Sequence, residues 1–159
     1  MCYAGFNIEI RKAETADLSS VYQLVKELAI YENAPEEPSN PLETFIQDGT
    51  GEHPKYHVLL ALFGNEIVGM ALYYLGYSTW KGSMMYLDDL VVRESWRRKG
   101  IGKKLINSLI GSARSHGVNQ LRWHVLDWNE PAIAFYKKIG ANLDPTWITC
   151  KIEKDRLYL

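Results

Sequence analysis

The sequence predicts an α+β domain in which a mixed sheet carries helices on its faces. Three observations point there. Apolar strand-like runs occur near residues 56–63, 67–74 and 84–92, apolar stripes at helical spacing occur near 18–28 and 101–113, and Gly and Pro punctuate the intervals. The 159 residues suit a single domain, 1–159, with no linker, repeat or low-complexity tract.

In chain order, Ile8-Glu-Ile-Arg-Lys alternates and reads as a short strand. Thr15-Ala-Asp-Leu opens a helix whose Leu18, Val21, Leu24, Val25 and Leu28 share a stripe, ending near Tyr31 before Pro35, Pro38 and Pro41. A short helix over 41–48 closes at Gly49. The strands 56–63 and 67–74 form a hairpin across Gly64-Asn65, and 84–92 is a third long strand. A helix runs from Gly102 to about His116, a strand over 120–126, and a helix over 130–139 after Asn129. The tail from 143 onward is expected to add one or two strands.

Composition narrows the function. The formal net charge is -1, unlike that of a dedicated nucleic-acid binder, yet residues 1–92 carry a net of -8 and residues 93–159 a net of +7. Two cysteines, Cys2 and Cys150, form no CxxC pair, and the four histidines lack the clustering of a zinc site. His53 and His57 are four apart but span a turn, and His57 and His124 read as structural residues in strands. No secretory pattern and no apolar run of membrane length occurs, so a cytoplasmic protein without nucleic-acid, membrane or metal partners is expected.

The informative stretch runs from Val91 to Leu105. A buried strand leads into a turn, and Gly100-Ile101-Gly102 opens an amphipathic helix between basic residues. Glycines let backbone amides approach a ligand, and a helix N-terminus adds unpaired donors and the positive dipole end, so this is an anion cradle. A P-loop is excluded because Arg97 and Lys104 stand where its first Gly and its Ser/Thr belong. A Rossmann fingerprint needs a third glycine and an earlier position. A glycine turn that merely caps a helix remains the competing reading.

Arg97-x-x-Gly100-x-Gly102 is similar to the acetyl-CoA signature of the GNAT N-acetyltransferases, and the chain resembles their diamine and thialysine N-acetyltransferase group almost throughout. The resemblance is carried by Ile10-Arg11 with Ala16-Asp17, Lys26-Glu-Leu-Ala with Tyr31-Glu32, Gly51-Glu-His-Pro with Tyr56-His57, and Tyr86-Leu-Asp-Asp. It continues through Asp127-Trp-Asn-Glu-Pro, Phe135-Tyr136-Lys137 and Gly140-Ala141. It implies a mixed, mostly antiparallel sheet flanked by helices, acetyl-CoA as co-substrate, a small cationic amine as acceptor, direct transfer in a ternary complex, and a homodimer. In that homodimer the tail 147–159 could pair with the partner chain.

Residue by residue, the resemblance implies that Arg97 and the backbone amides of Arg98, Lys99, Gly100, Ile101, Gly102 and Lys103 hold the pyrophosphate. Leu90, Val91 and Val92 pair with the pantetheine arm as with an added strand, Asn129 contacts the same arm, and Lys137 or Lys138 meets the nucleotide phosphates. Tyr136 sits beside the thioester sulfur as general acid, Asp88 is the water-mediated base, and Asp88, Asp89, Glu32, Tyr31 and Trp80 line the amine pocket. Three positions depart from the family pattern. Arg98 replaces a glycine, tolerable with negative φ; Asp88 replaces Glu; and Ser78-Thr79-Trp80 lacks the Asp-Pro found before the tryptophan in diamine enzymes.

The chemistry fits these residue types. An amine of pKa about 10.4 must lose a proton before attack, which costs about 4.6 kcal/mol at pH 7. Carboxylates both attract the cation and take the proton. Adjacent on a strand, Asp88 and Asp89 are expected to point to opposite faces. Tyr136 lies seven residues past Asn129, two helical turns, so the two share a face. The cysteines are read as incidental thiols rather than acetyl carriers. Two other classes compete: a CoA-binding sensor without turnover, and an acetyltransferase for protein amino groups.

Overall fold

A computed structural model describes residues 7–158; Cys2 and Leu159 lie outside the described residues. The chain groups into two compact units, Met1–Trp123 and His124–Leu159.

The first unit is a five-stranded sheet in the order β1-β2-β3-β4-β5, with β1 Ile8–Lys12, β2 His57–Phe63, β3 Glu66–Ser78, β4 Gly82–Val92 and β5 Gln120–Arg122. All neighbours are antiparallel except β4 and β5, so the sheet is mixed as expected. The β3–β4 hairpin is longer than its apolar pattern predicts, because alternation fades at Gly76 and Ser83 while backbone pairing continues to Ser78 and Gly82.

Helices α1, Leu18–Tyr31, and α2, Leu42–Asp48, cover one face. Leu18, Val21, Tyr22 and Leu24 pack with Phe45 on Val58, Leu60, Leu62, Met70, Leu72 and Val91. A single turn over Thr15–Asp17 precedes α1, where Asp17 accepts from the Glu14 amide at 2.7 Å and pairs with Arg11 at 2.6 Å. The helix stops because Asn33 turns left-handed at φ 59°. The Asn33 amide then donates to the Ile30 carbonyl and the Ala34 amide to that of Ala29, which satisfies the last turn. Tyr31 and Glu32 are thereby held at a defined helix end.

Helix α3, Ile101–Ser115, packs on the other face across β2, β3 and β4, burying Ile101, Leu105, Ile106, Leu109 and Ala113. Tyr73 and Ser112 share a hydrogen bond of 3.2 Å between their hydroxyls.

The second unit holds α4, Glu130–Lys138, and a short α5, Lys154–Leu157. The Asn129 side chain caps α4 by accepting from the Ala132 amide at 3.3 Å. Left-handed Gly140, φ 87°, ends it, with the Ala141 amide bonded to the Tyr136 carbonyl at 3.0 Å.

Two expectations fail here. β5 spans three residues instead of 120–126, so His124 lies beyond it, and the tail from 143 contains no strand among the described residues. A strand exists only through a neighbour's ladder, which an alternating pattern does not by itself supply. Trp147 (72% exposed), Ile148 (88%) and Ile152 stand in solvent despite their alternating pattern. His57 does begin β2, beside Tyr73, and burial lowers its pKa.

Candidate active site

The site in the first unit is built on an irregularity of β4. Leu72 pairs with Asp89 while the next residue, Tyr73, pairs with Leu87, so Asp88 is an extra residue bulged out of the ladder. Leu87 thus shares the α3 face with Tyr73, while Asp89 shares the α1 face with Leu72. The expectation that Asp88 and Asp89 point to opposite faces is overturned, because the bulge resets the two-residue period. Both carboxyl groups line one cleft of about 310 Å³, with Val25, Asn40, Phe45, Asp48, Lys55, Tyr56, Leu72 and Tyr74.

The electrostatics separate the two acids. Asp88 is exposed and Asp89 is half-buried. Burial pushes the Asp89 carboxyl up to about 7, reinforced by the negative charges of Asp88 and Glu32. Burial also raises Glu32. Tyr74 and Tyr86, directly paired across the strands, stack with ring centroids 5.2 Å apart. Burial raises both phenols, with Asp88 adding to it. An acid pair lining a partly apolar cleft, one member poised near neutrality, can receive an ammonium and take its proton.

The anion loop follows from the same strand. From Leu87 to Val92 the outer edge of β4 pairs with no strand among the described residues, since β5 reaches only Met84–Tyr86. Leu90, Val91 and Val92 therefore stand on an open edge. Beyond it, Gly100 caps α3 at φ 80° with open space where a Cβ would stand. The first bond of this helix end is donated by Lys104 to the Gly100 carbonyl, so the amides of Ile101, Gly102 and Lys103 precede the ladder and point out of the helix end.

The three basic residues ahead of Gly100 differ in their surroundings. The Arg97 guanidinium donates through Nε to the Val92 carbonyl at 3.0 Å and lies 4.6 Å over the Tyr31 ring. Lys99 donates to the Ser95 carbonyl at 2.6 Å and sits over Trp96. Arg98 adopts φ 61°, so the condition of negative φ on which its replacement of glycine was judged tolerable is not met. The turn needs a left-handed residue there, and the chain carries the cost of an arginine in it, about 1–2 kcal/mol.

The structure brings Asp88, Asp89 and Glu32 together electrostatically and joins Tyr31 to the Arg97 loop. It does not bring Trp80 to the cleft. The hairpin carries Trp80 past Gly82, about 13 Å along the ladder from Tyr86, where it is 80% exposed. Sequence reasoning missed Tyr74, which lies two residues from Leu72 on the same face and was legible by period. It also missed Asp48, at the end of α2, and Asn40 and Lys55, which loops bring in without any sequence signal.

In the second unit Tyr136 is buried, its ring 5.4 Å from that of Phe135, and Asn129 is buried at the helix cap. Lys137 and Lys138 are exposed in the last turn of α4. Among the described residues no group of three or more His, Cys, Asp or Glu could hold a metal ion, and Cys150 is an exposed free thiol.

The chain is similar to known acetyltransferases. A thialysine N-epsilon-acetyltransferase of Bos taurus is 40% identical over 142 residues, 84% of each chain. A spermidine/spermine N(1)-acetyltransferase-like protein of Homo sapiens is 31% identical over 140 residues, 84% of this chain and 20% of that one. The crystal structure of an aminoglycoside acetyltransferase from a soil metagenomic sample matches in fold with a TM-score of 0.77 at 20% identity, over 92% of this chain and 95% of that one. The model of the acetyltransferase (GNAT) family matches residues 18–141, and the chain belongs to that family.

Proposed function

We propose that this protein transfers the acetyl group of acetyl-CoA to a primary amine of a small cationic substrate, with residues 1–159 acting as one catalytic domain. The observation that carries the reading is the bulged Asp88–Asp89 pair on a strand whose free edge runs directly into an anion-binding helix start. The relatives named for thialysine and for spermidine/spermine support an amine acceptor.

The donor set fits a CoA molecule. Outward amides at Ile101, Gly102 and Lys103 beside Arg98 suit a pyrophosphate, and the open edge of Leu90, Val91 and Val92 suits an arm that pairs as an extra strand. Asn129, Lys137 and Lys138 are assigned to the same ligand by resemblance. When bound, acetyl-CoA supplies a thioester whose carbonyl carbon accepts the amine and whose C–S bond breaks.

The residues move the protons. Asp88 and Glu32 hold the ammonium, and the Asp89 carboxylate takes its proton. Asp89 suits that task better than Asp88, since a base near pH 7 balances availability with strength. The Tyr136 hydroxyl donates to the departing sulfur. Each turnover takes two protons from the nitrogen, one to the Asp89 carboxylate before attack and a second to water as the tetrahedral adduct collapses. The phenol gives one to the thiolate and regains one from water, and Asp89 returns its own to water, so one proton is released net.

The chain is read as cytoplasmic and homodimeric, the exposed tail around Trp147 and Ile148 meeting a second copy. Light scattering over a concentration series tests this. No helix among the described residues is long and apolar enough to cross a membrane. The deciding experiment measures free-thiol release from acetyl-CoA over spermidine, putrescine, thialysine, lysine and aminoglycosides. Release with at least one amine is expected; tight CoA binding with no release from any amine would instead favour a sensor.

A further inference from the structure

Three aromatic rings line the acidic cleft, those of Phe45, Tyr56 and Tyr74, and they differ in what holds them. Phe45 and Tyr56 are buried against each other, ring centroids 4.8 Å apart, and the Tyr56 hydroxyl is committed to the Phe45 carbonyl at 2.7 Å. The charge that reaches Tyr56 is that of Asp48. Tyr74 is only half-buried, and the charge that reaches it is that of Asp88. Its cross-strand partner Tyr86 stacks on it, centroids 5.2 Å and planes 27° apart. Tyr86 is not among the residues that line the cleft, so the stack covers one face of the Tyr74 ring and leaves the opposite side to the cleft.

The β4 bulge sets the ring beside the acids. Leu72 pairs with Asp89 and Tyr74 with Tyr86, so Tyr74 stands one two-residue step, about 7 Å, along the same face from the level of Asp89. The extra residue Asp88 lies within that step. Burial and the Asp88 charge both raise the Tyr74 phenol, which keeps it neutral around pH 7.

We propose that the Tyr74 ring is a specificity-determining contact for the acceptor, holding its ammonium by a cation–π contact beside the Asp88 carboxylate. This rests on the acetyltransferase reading and adds a residue to it. Asp88 is exposed, and a carboxylate in water holds a cation weakly on its own. A ring against the same ammonium displaces water from one side of it and adds the attraction of its quadrupole. The ring attracts the cation and not the free amine, so the contact acts before proton loss. It lowers KM for the amine and contributes nothing to kcat.

Two variants separate the π face from the hydroxyl: Tyr74→Phe keeps the face and Tyr74→Leu removes it. The probes are choline, a quaternary ammonium, and its neutral isostere 3,3-dimethylbutan-1-ol, each titrated into the free protein by NMR. Wild type and Tyr74→Phe are expected to bind choline tighter than the alcohol, and Tyr74→Leu should narrow that ratio by about threefold to tenfold. With an amine that is turned over, Tyr74→Leu should raise KM for the amine by the same factor without lowering kcat and leave KM for acetyl-CoA unchanged, with thermal midpoints verifying the fold. A wild-type ratio near one, a ratio unmoved by Tyr74→Leu, or an equal loss in Tyr74→Phe overturns the proposal and leaves the acetyltransferase reading intact. Failure of every amine to turn over overturns that reading, while choline binding still decides the contact at Tyr74.

Discussion

The Arg97 guanidinium lies over the Tyr31 ring, 4.6 Å from its centroid, while its Nε holds the Val92 carbonyl. One side chain thereby ties the end of α1 to the end of β4 at the entrance of the anion loop. A residue assigned by resemblance to a phosphate also braces the strand edge, and a residue assigned to the amine pocket is its support.

Tyr31→Leu should therefore weaken acetyl-CoA binding by about threefold to tenfold through loss of the cation–π contact, and Tyr31→Phe should not. Calorimetric titration measures this. Equal affinity for all three proteins would show that the stack contributes nothing to the loop.

The raised carboxyl of Asp89 has a consequence for stability. Below about pH 4 both the folded and the unfolded chain are protonated at this position. Between about 4 and 7 the unfolded chain ionises while the folded one keeps its proton, so stability falls as pH rises, and above 7 the full penalty persists. Asp89→Asn should be more thermostable than wild type at pH 8, by a few degrees, with the advantage vanishing near pH 4. Its kcat should fall at every pH. A melting-temperature difference that does not change with pH would refute the assignment.

Tyr136→Phe should keep the fold and acetyl-CoA affinity and lose about 10²-fold or more in kcat. The buried ring is retained in this variant and the hydroxyl alone is removed. Unchanged turnover would remove Tyr136 from the chemistry.

At position 98 the backbone demands a left-handed residue. Arg98→Gly should be more stable than Arg98→Ala by about 1 kcal/mol, since alanine keeps the strain and glycine relieves it. Urea denaturation compares the two, and equal midpoints would mean that the loop relaxes to negative φ. Both variants lose the guanidinium equally, so the comparison isolates the backbone.

The periodic elements were legible in advance because each reports local burial. The stripe of α1, the glycine start of α3 and the cap of α4 at Asn129 all stand where their side-chain patterns put them. The tail was misread for the same reason. Trp147, Ile148 and Ile152 alternate like a strand, but alternation records a preference and not the presence of a partner ladder.

The sequence by itself determined the fold class and where the glycine turn opens α3, because those depend on spacing along the chain. The tertiary structure decided how Asp88 and Asp89 are placed. The cross-strand register makes Asp88 a bulge, and that one extra residue turns both carboxyls into the same cleft. The burial that follows, beside Asp88 and Glu32, moves Asp89 near neutrality. Asp48 and Lys55 entered the cleft only through loop closure, a long-range event with no periodic signature.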